Sequence, residues 1–384
     1  EATPDPFETD KRDVAKLLAE GDQLATKKDY AGALLSYKDA YEKILADFRG
    51  RSFKKAVRPK LMDRDELAKY LAKSMKEEYD EAELYLMDRT FKAFRLVPES
   101  LDVSQAMTDL FAEGVAGFYD SEKKTLVLIQ EKPQPKRKKT LLEKLFGSAP
   151  EFDKDEQRSV LAHEMTHALQ DQHFDLEGLH RATKHDDEMS LALSALVEGE
   201  ATLAMLADAD DGLDGRSMLR ASPRRVDMTF HVFRAVMPFA SGAAFRKAPG
   251  VLRESMIFPY HKGTVFVLCL TNRDGWKSID AAFRDPPAST EQILHPKKYY
   301  EQRDEPTAVE LPDLKKSLGD GWKKLGGNVL GEFQTAVMFD QVNGGQKAAA
   351  GWDGDAYQIW EDDQKRSALA WFSTWDSPGD AQEF

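Results

Sequence analysis

Only one cysteine, Cys269, stands among the 384 residues. A single thiol excludes an internal disulfide and any zinc site built from cysteines. Lying within the apolar run TVFVLCL, residues 264–270, it reads as a small buried hydrophobe. Positive charge is also scarce: 54 Lys and Arg against 67 Asp and Glu leave a formal charge of −13, which argues against nucleic-acid binding, since that calls for concentrated positive surface. Long hydrophobic runs are missing as well. The 264–270 stretch falls far short of the roughly 20 apolar residues that span a bilayer, so no membrane span is expected. The chain opens on Glu1 and the polar stretch EATPDPFETD, which reads as a mature or trimmed form of an exported protein, periplasmic, secreted or surface-tethered, with its targeting segment gone.

What is present is enough to fold. A hydrophobic share of 41% supports two or three structural units. Residues 12–48 read as two helices around the turn KKDY, with Gly21, Leu24, Ala33, Tyr37 and Ala40 at the spacing of a tetratricopeptide repeat. In such repeats small residues let two helices approach and an aromatic fills the gap; one copy must pack on its own chain or on a partner. Residues 63–96 are strongly helical, with Leu67, Leu71, Met75, Leu84, Met87, Phe91 and Phe94 near helical period. A β-hairpin is expected over 114–130, GVAGFYD and TLVLIQ about the turn SEKK, followed by an exposed Pro- and Lys-rich loop, residues 136–152. Near the end AYQIWED and SALAWFSTWDS read as antiparallel strands about DDQKR, and GDAQEF as the opening of a helix in a chain that continues or has been trimmed.

The chemistry concentrates in SVLAHEMTHALQDQHF, residues 159–174. Asp153 with Glu156 resembles a capping box, and no Pro or Gly interrupts the chain before Gly178, which predicts a helix over about 154–174. Leu161, Met165, Ala168 and Leu169 form its apolar stripe. His163 and His167 share another face, about 5–6 Å apart at Cβ, as two ligands of one ion require. Zn²⁺ takes neutral imidazole nitrogens in a tetrahedral array, and this spacing supplies two from one rigid element, with Glu164 placed to act as general base. A third ligand is needed. The stretch DDEMSLALSALVEGEATLAMLAD, residues 186–208, is a buried helix carrying Glu198 and Glu200. They point about 200° apart, so at most one faces the histidines. A buried carboxylate calls for a cation beside it.

The pattern resembles the glutamate zincins, metallopeptidases in which a second helix gives the third, carboxylate ligand. In many of them that glutamate directly precedes a glycine, as in VEGEA, which favours Glu198. PYHKGTVFV, residues 259–267, looks like the tyrosine-x-lysine-glycine helix of aminopeptidases in this clan, and the likeness implies an oxyanion-stabilising role for Tyr260, with His261 or His231 as substitutes. The GAMEN-like segment that grips a free amino end is missing, so exopeptidase action is not supported. HEMTHALQDQHFDL, ALVEGEAT, FPYHKGTVFV, STEQILHPKKY and WFSTWDSPGDAQEF together resemble a poorly characterised family of bacterial exported proteins, over roughly residues 50–384.

The resemblance implies a predominantly α, α+β fold: a zincin-like core with a small antiparallel sheet, plus an N-terminal helical hairpin. The expected domains are the hairpin, residues 1–50, and a metallopeptidase domain, residues 51–384. Within the latter, 51–135 form a helical and β-hairpin upper part, 153–330 the metal-site helices and 331–384 a β and aromatic segment. The implied function is a zinc-dependent endopeptidase acting on peptide or protein substrates. An edge strand in this clan commonly binds extended peptide, which points to Gly117 and Phe118; His295 is a further substrate contact to examine. Gln170 or Asp171 would orient a ligand histidine. The alternative is an inactive peptidase-like scaffold that recruits protein partners through the hairpin and the old cleft.

Overall fold

A computed structural model describes residues 11–130, 154–211, 217–240, 242–339 and 344–384. The fold is α+β and predominantly α, with two small three-stranded sheets. The chain forms two compact units. The first comprises residues 1–70, 115–177 and 200–221; the second comprises 71–114, 178–199 and 222–384. The loop expected at 136–152, and Asp153, lie outside the described residues.

The first unit opens with the hairpin α1 (Lys11–Thr26) and α2 (Tyr30–Arg49). Asp29 caps α2 by accepting from the Gly32 amide at 3.0 Å, and Gly50 ends it in the left-handed region at φ 66°. The close approach anticipated from the repeat spacing is present: a Cβ on Gly21 would lie 2.3 Å from the Tyr37 ring, so only glycine leaves room for it. Both buried tyrosine hydroxyls find acceptors, Tyr37 on Asp22 at 2.8 Å and Tyr41 on Asp208 at 2.7 Å. The hairpin is no appendage. Ala33, Leu34, Tyr37, Ala40, Tyr41 and Ile44 share one core with Leu161, Ala162, Met165, Ala168 and Leu169 of the HExxH helix.

Strand β1 (Pro59–Met62) precedes α3 (Arg64–Glu78), α4 (Glu81–Ala93) and α5 (Val103–Gly114), and then β2 (Gly117–Asp120) and β3 (Thr125–Ile129) form the expected hairpin. The helical stretch 63–96 breaks at Asp80, which forms a capping box with Glu83. The first sheet has the order β1-β3-β2; β1 joins β3 in parallel, so this sheet is mixed and not purely antiparallel as expected. β2 is an edge strand. The HExxH helix, α6 (Lys154–Phe174), lies against it: a Cβ on Gly117 would meet Val160 at 2.7 Å, and Tyr119 donates to Asp171 at 2.9 Å.

After α7 (Leu176–Thr183) comes α8 (Asp187–Asp211), one unbroken helix whose first half belongs to the second unit and whose second half, from Glu200, belongs to the first. By length and apolar composition alone α8 could cross a bilayer, the one such helix among the described residues, and most of that segment is buried inside the protein. The second unit continues with α9 (Pro223–Ala240), α10 (Ala243–Lys247), α11 (Gly250–Asp274), α12 (Trp276–Arg284), α13 (Thr290–Leu294), α14 (Pro296–Tyr300) and α15 (Lys315–Leu318). It closes with β4 (Lys323–Asn328), α16 (Gly331–Phe339), α17 (Gly345–Ala349), β5 (Trp352–Glu361), β6 (Ser367–Trp375) and α18 (Pro378–Glu383). β5 and β6 pair antiparallel across 362–366, with Glu361 opposite Ser367, and β4 extends the sheet. The GDAQEF segment is helical, as its sequence suggests.

Candidate metal centre

Helix α6 divides its residues by face. Its apolar stripe sinks into the core beside α2, while His163, Glu164 and His167 are 7%, 7% and 8% exposed, buried just below the surface. The two imidazoles stand edge to face, with Nε2 to Nε2 at 3.1 Å. Zn–N bonds of about 2.0–2.1 Å in tetrahedral array set two ligand nitrogens roughly 3.3 Å apart, close to this separation.

The third donor comes from α8. Ligand atoms of His163, His167 and Glu198 all lie within 4.8 Å of one another. Glu200, two positions along and on the opposite face, takes another course: Gln170 donates to its Oε2 at 3.0 Å, and Arg49 of α2 forms a buried ion pair with its Oε1. The choice that the sequence left open is thus divided by geometry, with Glu198 at the imidazoles and Glu200 turned away. Two imidazoles and one carboxylate suit Zn²⁺ and would leave a fourth position for solvent or substrate, the pattern of a catalytic rather than structural site.

Behind His167, its Nδ1 meets Gln170 Oε1 at 2.9 Å. Asp171, the other residue considered for that role, instead accepts from Tyr119 and Lys124 and ties the HExxH helix to the hairpin β2–β3. His173 contacts the Ser52 carbonyl at 2.9 Å, and burial lowers its pKa. His180 and His185 are exposed.

Glycine in a helix interior costs about 1 kcal/mol relative to alanine and calls for a packing reason. Gly199 and Gly263 have one: a Cβ on Gly199 would fall 2.2 Å from the Gly263 carbonyl carbon, and a Cβ on Gly263 would fall 2.0 Å from the Ala195 oxygen. Helices α8 and α11 therefore touch backbone to backbone, directly beside Glu198. Tyr260 precedes Gly263 by one turn on α11 and is 40% exposed. That places it near the crossing, with its side chain accessible. His261 is 1% exposed and its Nε2 meets Asp227 at 2.8 Å, so its outer nitrogen is already engaged. Burial first, then the Lys262 ammonium, lowers its pKa to about 4 and keeps the ring neutral. His231 stands edge to face with it and is half exposed.

The STEQILHP segment is a structural knot. Ser289, Thr290, Glu291 and Gln292 are all at most 1% exposed. Ser289 caps α13, while the amide and hydroxyl of Thr290 both donate to the buried Glu188. Lys298 sits among Glu291, Asp304 and Asp376, so that acidic cluster already holds its cation. His295 pairs with Glu332 at 2.9 Å, a bond that raises its pKa. Gly117 and Phe118 occupy the edge strand β2; Phe118 packs against Tyr70, ring centroids 4.9 Å apart.

Arg49 and Glu200 escaped sequence reasoning as a pair. Glu200 carried a signal, being a carboxylate in a helix apolar nearly all round, which demands a cation. Nothing in the sequence singled out Arg49 as that cation, since a basic residue in the last turn of a helix has an ordinary reading.

Among known families, one described as a domain of unknown function (DUF8575) aligns with residues 321–384. That span covers β4 through α18, apart from the HExxH helix and α8. No curated protein and no solved structure matches the chain.

Proposed function

We propose that the chain is a zinc-dependent peptidase, an endopeptidase that hydrolyses internal bonds of peptide or protein substrates. The observation that carries this reading is that ligand atoms of His163, His167 and Glu198 lie within 4.8 Å of one another, with Glu164 next in sequence to the first of them. A bound Zn²⁺ would supply Lewis acidity toward a carbonyl and lower the pKa of bound water toward ~7. Glu164, one residue beyond the first imidazole and largely shielded from solvent, would take up the proton released from the attacking water and pass it to the leaving amine. Tyr260, with its accessible side chain one turn from the α8–α11 contact, would donate a hydrogen bond to the carbonyl oxygen as charge develops there. Such donors are worth about 2.7–4 kcal/mol in comparable sites.

The substrate backbone has a fitting place to lie. In the β2–β3 ladder the Ile129 amide donates to Ala116 at 2.9 Å and Phe118 pairs with Val127. Alternation then turns the backbone groups of Gly117 and Tyr119 to the edge that no strand among the described residues occupies, where an extended peptide could add as a further strand.

The test joins metal content to turnover. Protein purified without added metal should carry zinc, and a library of internally quenched peptides should be cleaved until a chelator is added. Glu164→Gln should keep its zinc and lose ~10²–10⁴-fold in rate, the usual range for a general base. Zinc-loaded protein inert toward the whole library would sink the peptidase reading in favour of a scaffold.

A further inference from the structure

Four side chains, buried to within 8% exposure or less, run in line from the hairpin to the metal centre: Arg49, Glu200, Gln170 and His167. Resting on the metal-centre reading, we infer that Arg49, Glu200 and Gln170 are positioning residues that hold His167 in one tautomer, with its proton on Nδ1 and the Nε2 lone pair turned toward His163 and Glu198.

The argument follows hydrogen-bond polarity from one end to the other. Arg49 has donors only, and its Nε engages Glu200 Oε1. A carboxylate has only acceptors, so the group of Gln170 that lies 3.0 Å from Glu200 Oε2 must be the amide nitrogen. The amide oxygen of Gln170 then faces His167 Nδ1 at 2.9 Å. An oxygen there can only accept, so Nδ1 carries the hydrogen. A neutral imidazole has one, and Nε2 is left bare, 3.1 Å from the Nε2 of His163. Each step leaves the next no choice. The relay begins on α2, which makes the N-terminal hairpin a working part of the centre and not a separate recruiting module.

Because polarity carries the argument, polarity can be reversed without changing shape. In Glu200→Gln the new amide must offer its oxygen to Arg49 and its nitrogen to Gln170. Gln170 then turns over and presents its own nitrogen to His167, whose Nδ1 must accept and whose proton moves to Nε2. Adding Gln170→Glu restores an acceptor facing His167 and a partner for the new amide. The single variant should therefore bind zinc about 10–100-fold more weakly, the range for lost outer-shell partners of a ligand histidine, and the double variant should return to within a few-fold of wild type. Affinity is read by competition with a chromophoric chelator, with the thermal transition of each metal-free protein as a folding control.

Glu200→Gln with wild-type affinity overturns the relay, as does a double variant that folds and fails to recover. Should the single variant not fold, the wild-type protein decides: in the metal-free chain at alkaline pH, ¹⁵N NMR of the His167 ring should show a protonated Nδ1 and a bare Nε2. A proton on Nε2 overturns the proposal. That spectrum reports the relay whether or not zinc binds, so a wild-type chain that takes up no zinc sinks the metal centre alone.

Discussion

Among the described residues, two clusters each bring two imidazoles and one carboxylate within 4.8 Å: His163, His167 and Glu198, and again Asp227, His231 and His261. By composition they are the same ligand set. Their neighbours differ. At the second cluster a single oxygen of Asp227 accepts from both His261 at 2.8 Å and the Lys262 ammonium at 2.7 Å, so its charge is already matched by a fixed cation, and a dication would have to displace it. At the first cluster the Arg49 guanidinium pairs with Glu200, which is not one of the three candidate ligands. Proximity of ligand types therefore identifies candidates, and an ammonium already seated on the carboxylate argues against the second of them.

The largest effect expected from this contrast is in metal content. Wild-type protein should bind one Zn²⁺ tightly per chain; His167→Ala should bind none, and His261→Asn should keep its full complement by elemental analysis. A second tightly held zinc, lost in His261→Asn, would erase the distinction drawn here.

A smaller effect should appear in stability against pH. The His261 pKa falls from 6.5 to about 4 in the folded chain, through burial and then Lys262. Between those values the unfolded chain binds a proton that the folded chain does not, so the group destabilises the fold as pH falls from 6.5 to about 4. Over that window wild type should lose on the order of 3 kcal/mol relative to His261→Asn, measured by denaturant titration at each pH. Comparing with the variant cancels the buried carboxylates Glu188 and Glu291, whose raised pKa values act in the opposite direction. No relative loss would mean that the second cluster is open to water or protons.

Least in size, and most telling about geometry, is Gly263→Ala. Overpacking of this kind costs about 1–3 kcal/mol, and because Glu198 rides on the displaced helix, zinc affinity should fall alongside stability. Stability lost with zinc affinity intact would show that the carboxylate is positioned by something other than the α8–α11 contact.

Much of this could be read from the chain. The HExxH helix is described over Lys154–Phe174, within the span expected from its uninterrupted run and periodic apolar stripe, and its expected cap at Asp153 lies outside the described residues. The hairpins β2–β3 and β5–β6 followed from alternation between turn residues. Strands β1 and β4 were missed: PKLM and KKLGGN are short, and β4 carries two glycines, so they become strands only by pairing with a formed neighbour. The break at Asp80 was legible as a capping box and hidden by the helical period running through it. His163 and His167 were visible because they share one helix. Glu198 was favoured over Glu200 only through the resemblance carried by VEGEA; the partner of Glu200, Arg49, is distant in sequence and brought close only by the packing of α2 on α6.

One consequence of the contact between Gly199 and Gly263 concerns how this sequence can vary. In an ordinary core a bulkier residue on one side can be accommodated by a smaller one opposite. Here neither partner has a side chain left to trim, so the usual route of paired substitution is closed at both positions. Distant kin that keep this arrangement of helices are expected to retain glycine at both places together, and any that have lost one should have lost the neighbouring carboxylate's placement with it.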